Sequence, residues 1–262
     1  MERIRAYTDI VVKYLLGREE TRDILLSFLN AVMEDSGFEM ITSVELKNPF
    51  NLQEFSADKL TVLDIKAIDT TGRIFDIEVQ AHGDRTFVHR SLYYWARLYN
   101  GQVSESETYR KLQPVICINL LNFRLFEEMP RLHSCYLITE KDEPNKVLTD
   151  HLMLHFIELP KTSNDHHGTI LEKWSHFFLH AGEEDTAMKT LLNDEPVLLK
   201  AHEEFKKFTA DERLRDLYES RQKAKRDYAT LMESAREEGL QKSFEKGIEK
   251  GIEKGIEKGI EK

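Results

Sequence analysis

The chain has 262 residues, enough for one well-buried domain with appendages or for two small domains, and its 40% hydrophobic and 32% charged content suits a globular protein. A formal net charge of −10 argues against coating nucleic acid through bulk electrostatics, but not against an enzyme needing acids and a local basic strip. No apolar run approaches the roughly 20 residues needed to span a bilayer, and the amino terminus reads as the start of a folded helix rather than a secretion signal.

Residues 8–33 carry apolar side chains at helical spacing, first Ile10, Val11 and Leu15, then Ile24, Leu25, Phe28, Leu29 and Val32, with Gly17 between the stretches. Residues 41–46 predict a short strand. Two alternating runs, 60–68 and 73–81, are joined by Asp69-Thr70-Thr71-Gly72, turn chemistry suited to a hairpin. Helical periodicity returns over 84–101, with Gly101 as its stop signal. The run PVICINLL, residues 114–121, is nearly all apolar, as a strand buried on both faces should be. Residues 132–139 and 152–159 supply two more strands. From Gly168 the pattern is helical, with Trp174, Phe177, Phe178 and Leu179 as its packing face. This order predicts a mixed α/β core over residues 1–165, a helical extension over 166–240 and a repeat tail over 241–262.

Cys117 and Cys135 both fall in apolar strand-like runs, so they read as reduced core residues and a cytoplasmic setting is expected. Neither has the histidine spacing of a structural zinc site. The tail from Phe244 becomes the repeat EKGIEKGIEKGIEKGIEK, which sets Ile248, Ile252, Ile256 and Ile260 four residues apart. A helix would carry them as a slowly winding apolar stripe, yet each interior glycine costs about 1 kcal/mol relative to alanine. The tail is therefore either a frayed, solvated appendage or a helix that orders against a partner. A four-residue period is not a heptad, so no oligomer number follows.

The chemistry lies in residues 56–80, SADKLTVLDIKAIDTTGRIFDIEVQ. Alternation along strands places Leu63, Ile65 and Ala67 on one face and Asp64 and Lys66 on the other; on the next strand Phe75, Ile77 and Val79 oppose Asp76, Glu78 and Gln80. A hairpin centred near Thr71 sets Asp64 opposite Glu78 and Lys66 opposite Asp76, with opposed Cβ atoms about 5 Å apart. Two carboxylates at that spacing repel unless a cation lies between them. A hard divalent ion such as Mg²⁺ resolves the conflict and activates water for phosphodiester hydrolysis. Gln80 can orient water or touch a phosphate but can act neither as base nor as cation. The ordinary alternative is a hairpin with its charged face in solvent and Lys66 bridging Asp64 or Asp76.

Asp64, a hairpin, then Glu78-Val79-Gln80 resembles the D…(D/E)-x-K signature of the PD-(D/E)XK nuclease superfamily, with Gln80 in the usual lysine place. More closely, the chain is similar to the bacterial recombination-promoting nuclease family, whose members are also described as transposases. The similarity runs through TDIVVKYLLG, ILLSFLNAVM, VLDIKAIDTTGRIFDIEVQ, RSLYYWARLYNGQ, YRKLQPVICINLL and the glycine-punctuated tail. It implies a restriction-endonuclease-like mixed sheet flanked by helices and Mg²⁺-dependent (or Mn²⁺-dependent) DNA cleavage. It also implies Asp64 and Glu78 as metal ligands and Gln80 as the third signature residue. Asp9 is a candidate additional acid; favouring the helix dipole explains it equally well. Cutting both strands of a duplex is simplest with a homodimer.

Arg85, Arg90 and Arg97, interleaved with Tyr93, Tyr94, Trp95 and Tyr99, are candidate DNA contacts, while the aromatic residues read as core. His151, His155, His166, His167, His176 and His180 lack the context of a zinc motif. No phosphate-binding glycine loop is present, so no nucleotide cofactor is expected, and no nucleophile elbow supports serine hydrolase chemistry.

Overall fold

The computed structural model describes residues 3–50, 65–81, 83, 86–104, 106–163, 168–183 and 186–260. The first apolar stretch is two helices, α1 (Asp9–Leu16) and α2 (Arg22–Asp35), joined through a 3-10 turn. Where α1 ends, at Gly17, a side chain is excluded: a Cβ there would lie 2.6 Å from the Lys13 carbonyl oxygen, to which the Gly17 amide donates its capping bond. The strands β1 (Val44–Leu46), β2 (Ile65–Asp69) and β3 (Ile74–Gln80) follow, then α3 (Phe87–Asn100). Next come β4 (Val115–Leu121), β5 (His133–Thr139) and β6 (Val147–Glu158). Four further helices are described: α4 (Ile170–His180), α5 (Thr186–Asp194), α6 (Pro196–Ala210) and α7 (Glu212–Ile260).

Among the described residues the strands form one six-stranded sheet in the order β1-β2-β3-β4-β6-β5. β1, β2 and β3 pair antiparallel, β3 pairs parallel with β4 and β4 with β6, and β5 closes the far edge antiparallel to β6. This is the mixed α/β arrangement expected of a restriction-endonuclease-like fold. β4 is buried along its whole length with parallel neighbours on both sides, which accounts for its near-continuous apolar sequence.

Helices cover both faces. α1 packs against β3 and α2 against β1, and α4 and α6 pack behind them. The opposite face carries α3, which lies on β4 and β6. There Phe87, Val115, Cys117, Leu121, Leu152, Leu154 and Phe156 form a buried cluster, edged by Trp95, Leu98 and Tyr99. Trp95 Nε1 donates to the His151 carbonyl oxygen at 3.2 Å, and Tyr99 Oη lies 2.9 Å from His151 Nδ1. Trp95 and Tyr99 are thus packing groups, as is Phe87, whereas Tyr93 is exposed.

The chain divides into two compact units. The first holds the sheet and its helices; the described part of the second is α7 from Asp216 onward. Along that helix Leu231, Met232, Leu240, Phe244, Ile248 and Ile252 are exposed. No described helix is long and apolar enough to cross a membrane.

Candidate nuclease site

The hairpin that carries the site is set by its turn. Gly72 has φ +91°, a left-handed conformation that only glycine adopts without strain. Asp69 Oδ1 accepts from the Thr71 amide at 2.9 Å, the Thr71 hydroxyl at 2.8 Å and the Arg73 amide at 2.9 Å. Arg73 Nε donates to Asp69 Oδ2 at 2.6 Å. Burial raises the Asp69 carboxyl, but the bonds from Arg73 and Thr71 more than offset it, so the group lies below the usual carboxylate range. The register that follows pairs Ile65 with Ile77 and Lys66 with Asp76, the alignment expected of a hairpin centred near Thr71.

On β3 the alternation then puts Asp76, Glu78 and Gln80 on one face. It is the face that carries α3, because Asp76 stands level with Cys117, Glu78 with Asn119 and Gln80 with Leu121 on β4. The charged side of the hairpin is therefore not simply a solvated face. Asp76 is only 2% exposed, and Glu78 and Gln80 are half-buried. Cys117 registers the consequence: burial first, then the negative charges of Asp76 and Glu78, push its thiol well above the ordinary value. Two carboxylates thus act on one buried point of the sheet. Oxygen donors concentrated in this way suit a hard divalent cation.

Asn119 is the polar exception in β4. Its Nδ2 donates to Ser91 Oγ at 3.1 Å and to the His155 carbonyl oxygen at 3.0 Å, tying α3 and β6 to β4 at the level of Glu78. Sequence reasoning passed over Asn119 and Ser91 and treated Asp76 only as a bridge partner. The available signal was the asparagine itself, since a polar side chain in an otherwise apolar, doubly buried strand needs hydrogen-bond partners.

Asp64, the residue before β2, lies outside the described residues, as does Arg85. Arg90 sits in the first turn of α3 with its guanidinium carbon 4.9 Å from the Phe87 ring centroid, and Arg97 is exposed in the last turn. Asp9 occupies the first turn of α1, buried, with Oδ1 accepting from the Ile10 amide at 2.9 Å. Among the described residues no three or more His, Cys, Asp or Glu side chains converge to hold a metal ion. His166 and His167 are outside the described residues.

The sequence model of the PD-(D/E)XK nuclease family transposases matches residues 6–235. The chain belongs to that family. No curated protein and no solved structure matches it. In the PD-(D/E)XK nucleases a divalent metal generally serves the reaction, and the acid-rich face of β3 has the donor chemistry for one.

Proposed function

We propose that this PD-(D/E)XK protein is a DNA endonuclease that hydrolyses phosphodiester bonds with Mg²⁺ (or Mn²⁺) held by Asp64 and Glu78. The observation that carries this reading is the placement of Glu78 beside Asp76 on a half-covered sheet face, level with the anchored Asn119. Asp64 immediately precedes Ile65, whose partner Ile77 immediately precedes Glu78, which favours these two carboxylates as the ligand pair. When bound, the metal supplies a Lewis acid and a water of lowered pKa. Glu78 holds negative charge where the cation binds, and Asp76 adds to the field from two residues away. Gln80, on the same face, orients the attacking water or a phosphate oxygen through its amide. Arg85, Arg90 and Arg97 contact the phosphate backbone and set the duplex in register without reading bases. The cuts serve recombination or transposition-like events, and a homodimer places one site on each strand.

A second reading follows from Gln80 itself. Without a cation in the third signature place, transition-state charge is less well met, and the fold would then serve as a binding module. One experiment separates the two: supercoiled-plasmid cleavage by the wild type, Asp64→Ala and Glu78→Gln, with Mg²⁺ and with EDTA, alongside calorimetric titration with Mn²⁺. Nicking by the wild type alone, with Mn²⁺ binding lost in both variants, supports the nuclease. DNA binding without nicking in any sample supports the module.

A further inference from the structure

The sheet face turned away from Glu78 holds a second group of titratable side chains. Antiparallel pairing of β5 with β6 sets Cys135 opposite His155, and His133, two residues earlier, shares that face. Cys135 Sγ lies 3.8 Å from His155 Nε2. On the other side of that ring, His155 Nδ1 lies 3.0 Å from His133 Nε2, and His133 Nδ1 lies 2.8 Å from Asp35 Oδ2 at the end of α2. The two imidazoles are tilted by only 19° with centroids 5.2 Å apart, so their nitrogens meet edge to edge rather than ring over ring. Ser36 Oγ, already donating to the Val32 carbonyl oxygen at 3.0 Å, is the weaker neighbour of His155 Nδ1 at 3.4 Å. Thr169 Oγ1 donates to the other Asp35 oxygen at 3.4 Å.

With both rings neutral and Asp35 ionised, the bonds are satisfied with one polarity. The thiol donates to His155 Nε2, His155 Nδ1–H to His133 Nε2, and His133 Nδ1–H to the Asp35 carboxylate. Cys135, His133 and Asp35 line a pocket of about 530 Å³, together with Arg131, Phe38 and Glu172. Glu172 is engaged in the capping box of α4 with Thr169, and the positive charge of Arg131 acts on the thiol. This is a thiol backed by two imidazoles and a carboxylate, opening on a cavity, and its side chains lie on the sheet face opposite the one that carries Glu78.

We propose that Cys135 is an oxidation site for hydroperoxides, with its proton withdrawn through His155 to the His133–Asp35 pair. Sulfur attacks the distal oxygen, an S–O bond forms and the O–O bond breaks. Sulfur loses two electrons and the peroxide gains them. The thiol proton passes to His155 Nε2 as His155 Nδ1–H passes to His133, leaving an imidazolium against Asp35. That proton then returns to the departing alkoxide, so Cys–SH and ROOH give Cys–SOH and ROH.

The electrostatics suit a relay rather than a resting thiolate. Burial pushes the Cys135 thiol up to about 11, with Arg131 opposing the rise, and burial also pushes His155 down to about 3. A simple thiolate–imidazolium pair would place positive charge on His155, where burial penalises it. The relay leaves His155 neutral throughout and carries the charge to His133, beside a carboxylate that the His133 bond holds below its ordinary value.

The test is trapping of sulfenic acid with dimedone in the full chain exposed to tert-butyl hydroperoxide at pH 7, with sites located by peptide mass spectrometry. The expected result is labelling at Cys135 and not at Cys117, at least about tenfold faster in the native chain than in urea. Asp35→Asn should slow Cys135 labelling by about a hundredfold at neutral pH and converge with the wild type where hydroxide alone ionises the thiol. Native labelling no faster than in urea overturns the proposal, as does an unchanged rate in Asp35→Asn. Labelling at buried Cys117 marks any variant that has unfolded, and the native-to-urea comparison of the wild type then decides alone.

Discussion

Glu78 on β3 stands level with Asn119 on β4, and the Asn119 amide is committed to Ser91 of α3 and to the backbone of β6. The carboxylate proposed to hold metal is thus framed by a fully buried hydrogen-bonded brace. Asn119→Leu keeps the branching at Cγ but leaves the Ser91 hydroxyl and the His155 carbonyl without the Asn119 donor. A stability loss of about 1–3 kcal/mol is expected, read as a lower midpoint in chemical unfolding. Cleavage should fall further than the unfolded fraction accounts for. An unchanged rate per folded molecule would separate the brace from the site.

Gln80→Lys tests the departure from the family signature. Gln80 shares its strand face with Glu78 and is half-buried, so under the proposed function a lysine there brings an ammonium group toward developing phosphate charge. Single-turnover cleavage should rise about tenfold or more. A drop would show that the site is built around an amide.

Arg97 is exposed in the last turn of α3, and its removal should leave thermal unfolding unchanged. If it contacts a phosphate, Arg97→Ala weakens binding to all duplex sequences alike and reduces the salt-dependence slope by about 1. Trp95→Ala acts on the same helix by another route. It empties packing space over β6 and should cost about 3 kcal/mol of stability, with DNA affinity altered only as far as the fold is lost.

The Asp69 carboxylate, held below its ordinary range by Arg73 and Thr71, gives a pH signature. As pH falls the unfolded chain takes up this proton first. The stabilisation is complete above the ordinary carboxylate pKa and is lost as pH drops through the folded value. Across roughly pH 5 to pH 2, Asp69→Asn should show a shallower fall in melting temperature than the wild type. At neutral pH the same variant should be less stable by about 1–3 kcal/mol.

In α7, Cβ atoms built on Gly247 and Gly251 meet nothing within 4 Å. Replacing each with alanine should stabilise the helix by about 1 kcal/mol. Far-ultraviolet circular dichroism of the chain during mild heating measures the gain, and no gain would mean that these positions are not helical in solution.

Much of the sheet was legible because strands with one environment write plain patterns. The run at β4 declared double burial, and the Asp69 to Gly72 turn fixed the hairpin register that pairs Lys66 with Asp76. Three features were not legible, for a shared reason. Nothing local states that α3 lies on β4 and β6 on the face that Asp76 shares, that Asn119 reaches Ser91, or that β6 inserts between β4 and β5. Each depends on pairing between distant segments, and alternation within one strand carries no information about what covers its second face. The β6 strand also began earlier than its apolar run suggested, because its first residues, from Val147, pair at an exposed edge where polar side chains are tolerated.

The parallel neighbours of β4 have a consequence for the order of events at synthesis. Antiparallel β2 and β3 are joined by a tight turn, but β3 meets β4 only after α3 has crossed over, and β4 gains its other neighbour only when residues through Glu158 are available. Before then Asn119 lacks the His155 carbonyl. A growing chain therefore carries the acidic hairpin without the frame around it, and the site comes into being with the sheet.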